Sequence, residues 1–235
     1  IASVDERLVG DSGVSKAFSQ FYNVVKRFLC YPADVGKSII ARVFEEFYCG
    51  LELFQKTYGM EPKFHRGLGM VENEKLIIRP EALDHLTRVL GKAKLGIASG
   101  SHLEPARHVL GEFLDRFNLE SSVFLETMEE AERQYLREEG LEISLKKPHP
   151  FSLLKAVEAY GPNDTILYVG DSMEDALMVK EARNLGKPFL FAGVYRYSGV
   201  EDALLHCFLK SGCDMVIPSV NELPYALEAL GRDWK

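Results

Sequence analysis

The segment Thr165–Asp175, TILYVGDSMED, constrains the fold more than any other stretch of this 235-residue chain. The uncharged run Ile166–Val169 leads to Gly170, an acid follows at Asp171, and a second acid sits four residues on at Asp175. This reads as a buried strand that stops at Gly170 and turns into a helix. A strand end that presents acids beside a helix N-terminus is where an α/β protein can hold a divalent cation and a phosphate together. Two other pieces precede it in order, KLGIASGS (Lys94–Ser101) and KKPHP (Lys146–Pro150).

The rest of the chain is consistent with a sheet built around that strand. After Pro80, helical stretches alternate with short apolar ones. The pattern predicts strands at Lys94–Ser99, Val123–Glu126, Thr165–Gly170, Pro188–Val194 and Met215–Pro218. Helices are expected at Glu81–Leu90, His102–Phe117, Glu129–Glu139, Phe151–Tyr160, Met173–Leu185, Val200–Lys210 and Glu222–Leu230. Charge-poor strands rich in Val, Ile, Leu and Phe, alternating with helices, imply a parallel sheet covered on both faces. Before Pro80 the signature is helical. Val14–Cys30 places Phe18, Phe21, Val25 and Phe28–Leu29 on one stripe, and Ser38–Gly59 repeats the pattern between an N-cap serine and a stop glycine. The fold class is therefore α/β, a Rossmann-like parallel core with an all-helical insert. Ligands of such sheets bind beyond the carboxyl ends of the strands, where Ser99, Asp171 and Gly193 fall.

Composition narrows the partners. A chain of this length buries roughly 70% of its unfolded surface, enough for one large domain or two modest ones. The formal net charge of −7 argues against nucleic acid, which requires a basic footprint. No apolar run reaches the roughly 18 residues that span a bilayer, and no signal peptide is visible near Ile1. Cys30, Cys49, Cys207 and Cys213 form no CxxC pair, which argues against zinc and for buried thiols in a reducing cytoplasm.

The chemistry-bearing residues lie in those three pieces. Ser99 brings a hydroxyl to a strand tip, and Gly100 allows close approach of backbone to a ligand. Ser101 with Glu104 has the spacing of a capping box for the next helix. Lys147, stiffened by Pro148 and Pro150, can neutralise charge on a phosphoryl group, whereas Lys146 and His149 read as surface residues. Asp171 offers hard oxygens suited to Mg2+. Asp175 can assist, although Ser172-x-x-Asp175 is itself a helix-start pattern. Gly193 is expected to turn the chain beside the site, with Tyr195 and Arg196 either bordering its entrance or lying in a plain surface loop. Arg66, beside His65 in FHRGLG, could reach an anionic substrate, with a solvated loop as the plain alternative.

Together these pieces resemble the haloacid dehalogenase superfamily, with a helical insert similar to the cap of phosphoglycolate-phosphatase-like members. GIAS with Ser99 matches the family's second motif, Lys147 its third, and Gly170, Asp171 and Asp175 its fourth, GDxxxD. The resemblance implies a Mg2+-dependent phosphoric monoester hydrolase acting on a small phosphorylated metabolite through an aspartyl-phosphate. Ser99, Gly100 and Lys147 would bind substrate, Ser99 and Lys147 would serve catalysis, and Asp171 and Asp175 would hold the metal. It also implies a cytoplasmic monomer or homodimer, with a core over 1–9 and 80–235 and a cap over 10–79. The first motif, DxDG, is not found in the chain, yet IASVDERL is similar to the stretch that follows it. The nucleophilic aspartate is therefore expected on a strand just before Ile1. A phosphosugar mutase or a dehalogenase is the alternative on the same scaffold, the acid pair counting against a metal-free dehalogenase. A module that binds phosphorylated ligands without turnover is the other.

Overall fold

The computed structural model describes residues 35–91, 94–160 and 164–231. The chain divides into two compact units, Ile1–Glu74 and Lys75–Lys235. The helix expected over Val14–Cys30 lies outside the described residues.

In the first unit, helix α1 (Ile39–Tyr58) is bounded as its sequence demands. The Ser38 hydroxyl accepts from the Ala41 amide at 3.1 Å, and Gly59 closes the other end in the left-handed conformation. Periodicity did not reveal the break at Gly50, whose φ of 73° and ψ of 179° interrupt the helix. There the backbone meets a second strand of chain: Gly50 pairs with Leu68, and the Leu51 amide bonds the Gly67 carbonyl at 3.1 Å. A Cβ at Gly50 would lie 2.3 Å from the Gly69 nitrogen, so both the φ and the close approach require glycine.

The loop after α1 is anchored by one fully buried acid, Glu46. Its carboxylate accepts from the amides of Lys63, Phe64 and His65 at 2.5–3.1 Å and from Arg42 Nε at 2.8 Å. Burial alone would raise its pKa; the Lys63 and Phe64 amides, Arg42 and the His65 amide instead hold it down at about 2. The anchored loop stacks the His65 ring on Phe47, centroids 4.4 Å apart.

Among the described residues the second unit carries a parallel sheet of three strands, β1 (Ile166–Gly170), β2 (Phe189–Val194) and β3 (Met215–Ile217), in that spatial order. Gly170, the last residue of β1, lies opposite Gly193, and β2 runs one residue further to Val194. Helices α2 (Pro80–Leu90), α3 (Leu103–Leu110), α4 (Leu125–Glu139) and α5 (Phe151–Ala156) precede β1. Helices α6 (Met173–Asn184), α7 (Glu201–Ser211) and α8 (Leu223–Leu230) alternate with and follow the later strands. The two-residue period of β1 divides it between two cores. Ile166 and Tyr168 pack with Met178, Val179 and Ala182 of α6, with Phe191, and with Leu204 and Phe208 of α7. Leu167 and Val169 pack with Leu86 of α2 and Leu223 of α8. Helices therefore cover both faces, as the charge-poor strands require. Each fully buried Leu, Phe or Met contributes about 1.5–3 kcal/mol to that cohesion.

Three expectations need correction. Lys94–Ser99 and Val123–Glu126 run side by side but share a single parallel bridge, Ala98 to Val123, in place of two strands. The Ile97 amide turns to the Ser122 hydroxyl at 3.0 Å, and Leu125 already opens α4, so the ladder cannot extend. Gly193 makes no turn. It lies within β2, where a Cβ would sit 2.6 Å from the Phe208 ring. Among the cysteines, Cys49 is buried but Cys207 is exposed.

The depressed pKa of Glu46 fixes the sign of a pH effect. Its contribution is complete above the ordinary glutamate value of 4.5 and is lost as pH falls toward about 2. Glu46→Gln should cost about 2–3 kcal/mol in urea unfolding at pH 7, with the gap from wild type closing on acidification through that window. A gap that stays constant with pH would refute this role for the carboxylate.

Candidate active site

β1 ends at Gly170, and α6 begins two residues later behind an N-cap at Ser172. Ser172 and Asp175 form a reciprocal capping box. The Ser172 hydroxyl accepts from the Asp175 amide at 3.2 Å, and Asp175 Oδ2 accepts from the Ser172 amide at 3.1 Å. The same Oδ2 accepts from the Ser172 hydroxyl at 2.8 Å and from the Asp171 amide at 3.2 Å. On the other oxygen, Oδ1 accepts from Lys147 Nζ at 2.7 Å and from the Tyr168 hydroxyl at 3.0 Å. A carboxylate has about four lone-pair sites, so these five donors engage Asp175 fully. It is 1% exposed, and such burial is tolerable only with this degree of pairing.

Gly170 makes the packing possible. A Cβ there would lie 2.5 Å from Asp175 Cβ and 2.6 Å from its Cγ. Asp171, one residue on, is its opposite. Its side chain is exposed and has no hydrogen-bond or ion-pair partner among the described residues. The GDxxxD segment thus holds one acid closed by protein donors and one open at the carboxyl end of the sheet.

Lys147 reaches Asp175 from the loop before α5, after which the Lys147–Pro148 peptide is cis. Burial would lower the pKa of this ammonium. The electrostatic pull of the site, carried by the Asp175 carboxylate, raises it well above the usual lysine value. Burial likewise works against ionising Asp175, and Lys147, Ser172 and Tyr168 more than offset it, holding the carboxyl below its ordinary range. The pair stays ionised through neutral pH.

Ser99 follows the Ala98 bridge. Its amide donates to the Val123 carbonyl at 2.9 Å, and its hydroxyl accepts from the Ser101 amide at 3.1 Å. The Gly100 backbone faces open space, since a Cβ there would meet nothing within 4 Å. The capping box expected at Ser101 and Glu104 does not form, because α3 starts one residue later with His102 at its N-cap. Glu126 of α4 takes over, accepting from the Leu103 amide at 3.0 Å and lying 3.3 Å from His102 Nδ1. His149 accepts from the Phe151 amide at 3.2 Å, a local contact at the start of α5.

The three motifs meet through one side chain that the motif reading passed over. Tyr168 donates to Asp175 and lies 3.4 Å from the Ala98 carbonyl, so the contacts run Ala98–Tyr168–Asp175–Lys147. Its sequence signal was a hydroxyl in an otherwise apolar strand, on the same face as Gly170. The acidic groove between α4 and α5, lined by Glu126, Glu130, Glu138, Phe151 and Lys155, includes none of these residues. Among the described residues no group of three or more His, Cys, Asp or Glu side chains is placed to hold a metal ion. Nor, among them, is any helix long and apolar enough to cross a membrane.

A family model for haloacid dehalogenase-like hydrolases matches residues 19–183. The chain belongs to that family. Within this haloacid dehalogenase-like hydrolase, the matched span takes in Ser99, Lys147, Asp171 and Asp175. No curated protein matches the chain. Its fold is similar to an X-ray structure solved as a Northeast Structural Genomics Consortium target, with a TM-score of 0.61 and 21% identity. That match covers 82% of this chain and 53% of the other, so the hydrolase spans about half the length of its structural neighbour. At that identity the likeness speaks for the fold alone.

The two glycines at the site separate packing from ligand space. Gly170→Ala should cost about 1–3 kcal/mol in chemical denaturation, because its Cβ collides with Asp175. Gly100→Ala, which meets nothing, should stay within about 0.5 kcal/mol of wild type. Equal effects would contradict the packing described for Asp175.

Proposed function

We propose that this hydrolase is a Mg2+-dependent phosphatase acting on a small phosphorylated metabolite. The observation that carries the reading is the division between the two acids. Asp175 is closed by Lys147, Tyr168, Ser172 and two amides, while Asp171 stays open at the strand end. A single hard carboxylate suits Mg2+, which uses one or two protein carboxylates and keeps water and substrate oxygens as its remaining ligands. Asp171 fits that donor set. Asp175, expected as a second ligand, is assigned instead to fixing Lys147 and the Asp171 loop. When bound, Mg2+ would polarise a phosphoryl oxygen and offset negative charge.

The other roles follow from the chain's own groups. Ser99 Oγ and the open Gly100 backbone would bind phosphoryl oxygens. Lys147 would stabilise charge gathering on the transferred phosphoryl group. The nucleophile of this reading is the aspartate that the family resemblance implies. It attacks phosphorus, the ester oxygen leaves, and water then hydrolyses the aspartyl-phosphate. The helical stretch 10–79 is proposed as a cap that selects substrate, with 1–9 and 80–235 as core. We propose neither nucleic acid nor membrane as partner, and a cytoplasmic monomer or homodimer.

The test is hydrolysis of p-nitrophenyl phosphate by the full natural protein, with Mg2+ and with EDTA. Chelation should abolish turnover. Asp171→Asn, at an exposed side chain, should lower kcat by about 10²–10³-fold while the fold is retained. Lys147→Met should lower it as well but also destabilise the protein, because it leaves the buried Asp175 without its cation. Turnover that survives both EDTA and Asp171→Asn would overturn the Mg2+ role given to Asp171. Tight binding of a phosphate ester without turnover would point to a binding module.

A further inference from the structure

We propose that Tyr168 is a positioning residue whose hydroxyl ties the Ser99 strand end to the Lys147–Asp175 pair. A phenylalanine would fill the same space. The Tyr168 ring stacks on Phe191 with centroids 6.3 Å apart, and Phe191 meets Phe208 edge-on at 5.6 Å. A hydroxyl placed in such an apolar layer is unfavourable unless it is bonded. Here it lies 3.0 Å from Asp175 Oδ1 and 3.4 Å from the carbonyl of Ala98, the residue before Ser99. The shorter contact, to a charged acceptor, is the stronger one, and the carbonyl takes what remains of the same proton.

The arrangement also places Lys147. Its Nζ lies 5.7 Å from the centre of the Tyr168 ring and 2.7 Å from the oxygen that Tyr168 itself addresses. Ring, hydroxyl and carboxylate thus form three sides of a seat for the ammonium. The hydroxyl is the donor in both contacts, since a carboxylate oxygen and a backbone carbonyl can only accept. Among the described residues the segment that carries Ser99 has one bridge, at Ala98, and the tyrosine contact falls on that residue. In this way a residue of β1 sets the spacing between the Ser99 hydroxyl and Lys147.

Tyr168→Phe in the full natural protein is the test, with one kinetic and one structural readout. The kinetic readout rests on the phosphatase reading. In an active enzyme kcat for p-nitrophenyl phosphate should fall about tenfold with KM within about twofold, the signature of groups misplaced in the transition state. The structural readout is independent of any activity. Amide hydrogen exchange at Ser99 and Ser101 should quicken about tenfold while exchange within β1 and β2 stays as in wild type. Unchanged kcat in an active enzyme overturns the proposal, and so does unchanged exchange at Ser99 and Ser101. If the wild type hydrolyses no phosphate ester, the phosphatase reading fails and exchange alone decides the role of Tyr168. Should the variant not fold, the wild-type Tyr168 hydroxyl proton decides it, with a slowly exchanging, hydrogen-bonded resonance expected and its absence overturning the link.

Discussion

The site depends on one buried carboxylate. Asp175 closes the first turn of α6, receives the amide that begins the Asp171 loop, and accepts both Lys147 and Tyr168. An isolated buried carboxylate would be strongly unfavourable, and a helix N-terminus alone offsets only a part of that. The lysine and the local hydroxyls make the difference. The ion pair, the helix cap and the turn after β1 therefore form together, because each takes donors or acceptors from the same two oxygens. A change at any of these partners is felt by the rest, which is the behaviour of a fully satisfied polar network.

That sharing explains why the two acids of GDxxxD differ. Strand geometry puts Asp171 beyond the last ladder residue, where no described residue pairs with its side chain. Helix geometry puts Asp175 at the third position of α6, aimed back at the strand it follows. One spacing gives one open acid and one closed acid, and it does so only because Gly170 leaves room for Asp175. The motif is a packing device before it is a chemical one.

The legible parts of the molecule were those governed by local rules. The caps of α1 at Ser38 and Gly59, the three strands and the alternation of covering helices all follow from periodicity and end signals within a few residues. What escaped depended on chain from elsewhere. The break at Gly50 is imposed by Gly67–Gly69, and the start of α3 is set by Glu126 rather than Ser101. Gly193 answers to Phe208 across the layer and not to a turn. Tyr168 looked like one more apolar strand residue, since its hydroxyl matters only once Ala98 and Asp175 are seen beside it. For the same reason the partners of Asp175 were not legible: nothing in the spacing announces that a lysine 28 positions earlier pairs with it.

The Ser99 segment shows how a site is held where the regular ladder gives out. β1 pairs with β2 along its whole length, so Asp171 and Asp175 rise from a rigid base. Among the described residues the chain before Ser99 has one bridge, a backbone bond from the Asn118 amide to the Leu95 carbonyl at 2.7 Å, and side-chain contacts from Ser122 to the Ile97 amide and from Tyr168 to the Ala98 carbonyl. A net hydrogen bond contributes only about 0.5–1.5 kcal/mol, so these separate links hold a strand tip less firmly than a continuous ladder does. The place of the Ser99 hydroxyl relative to Asp175 and Lys147 therefore rests on single contacts such as that of Tyr168, whereas Asp175 rises from a continuous ladder.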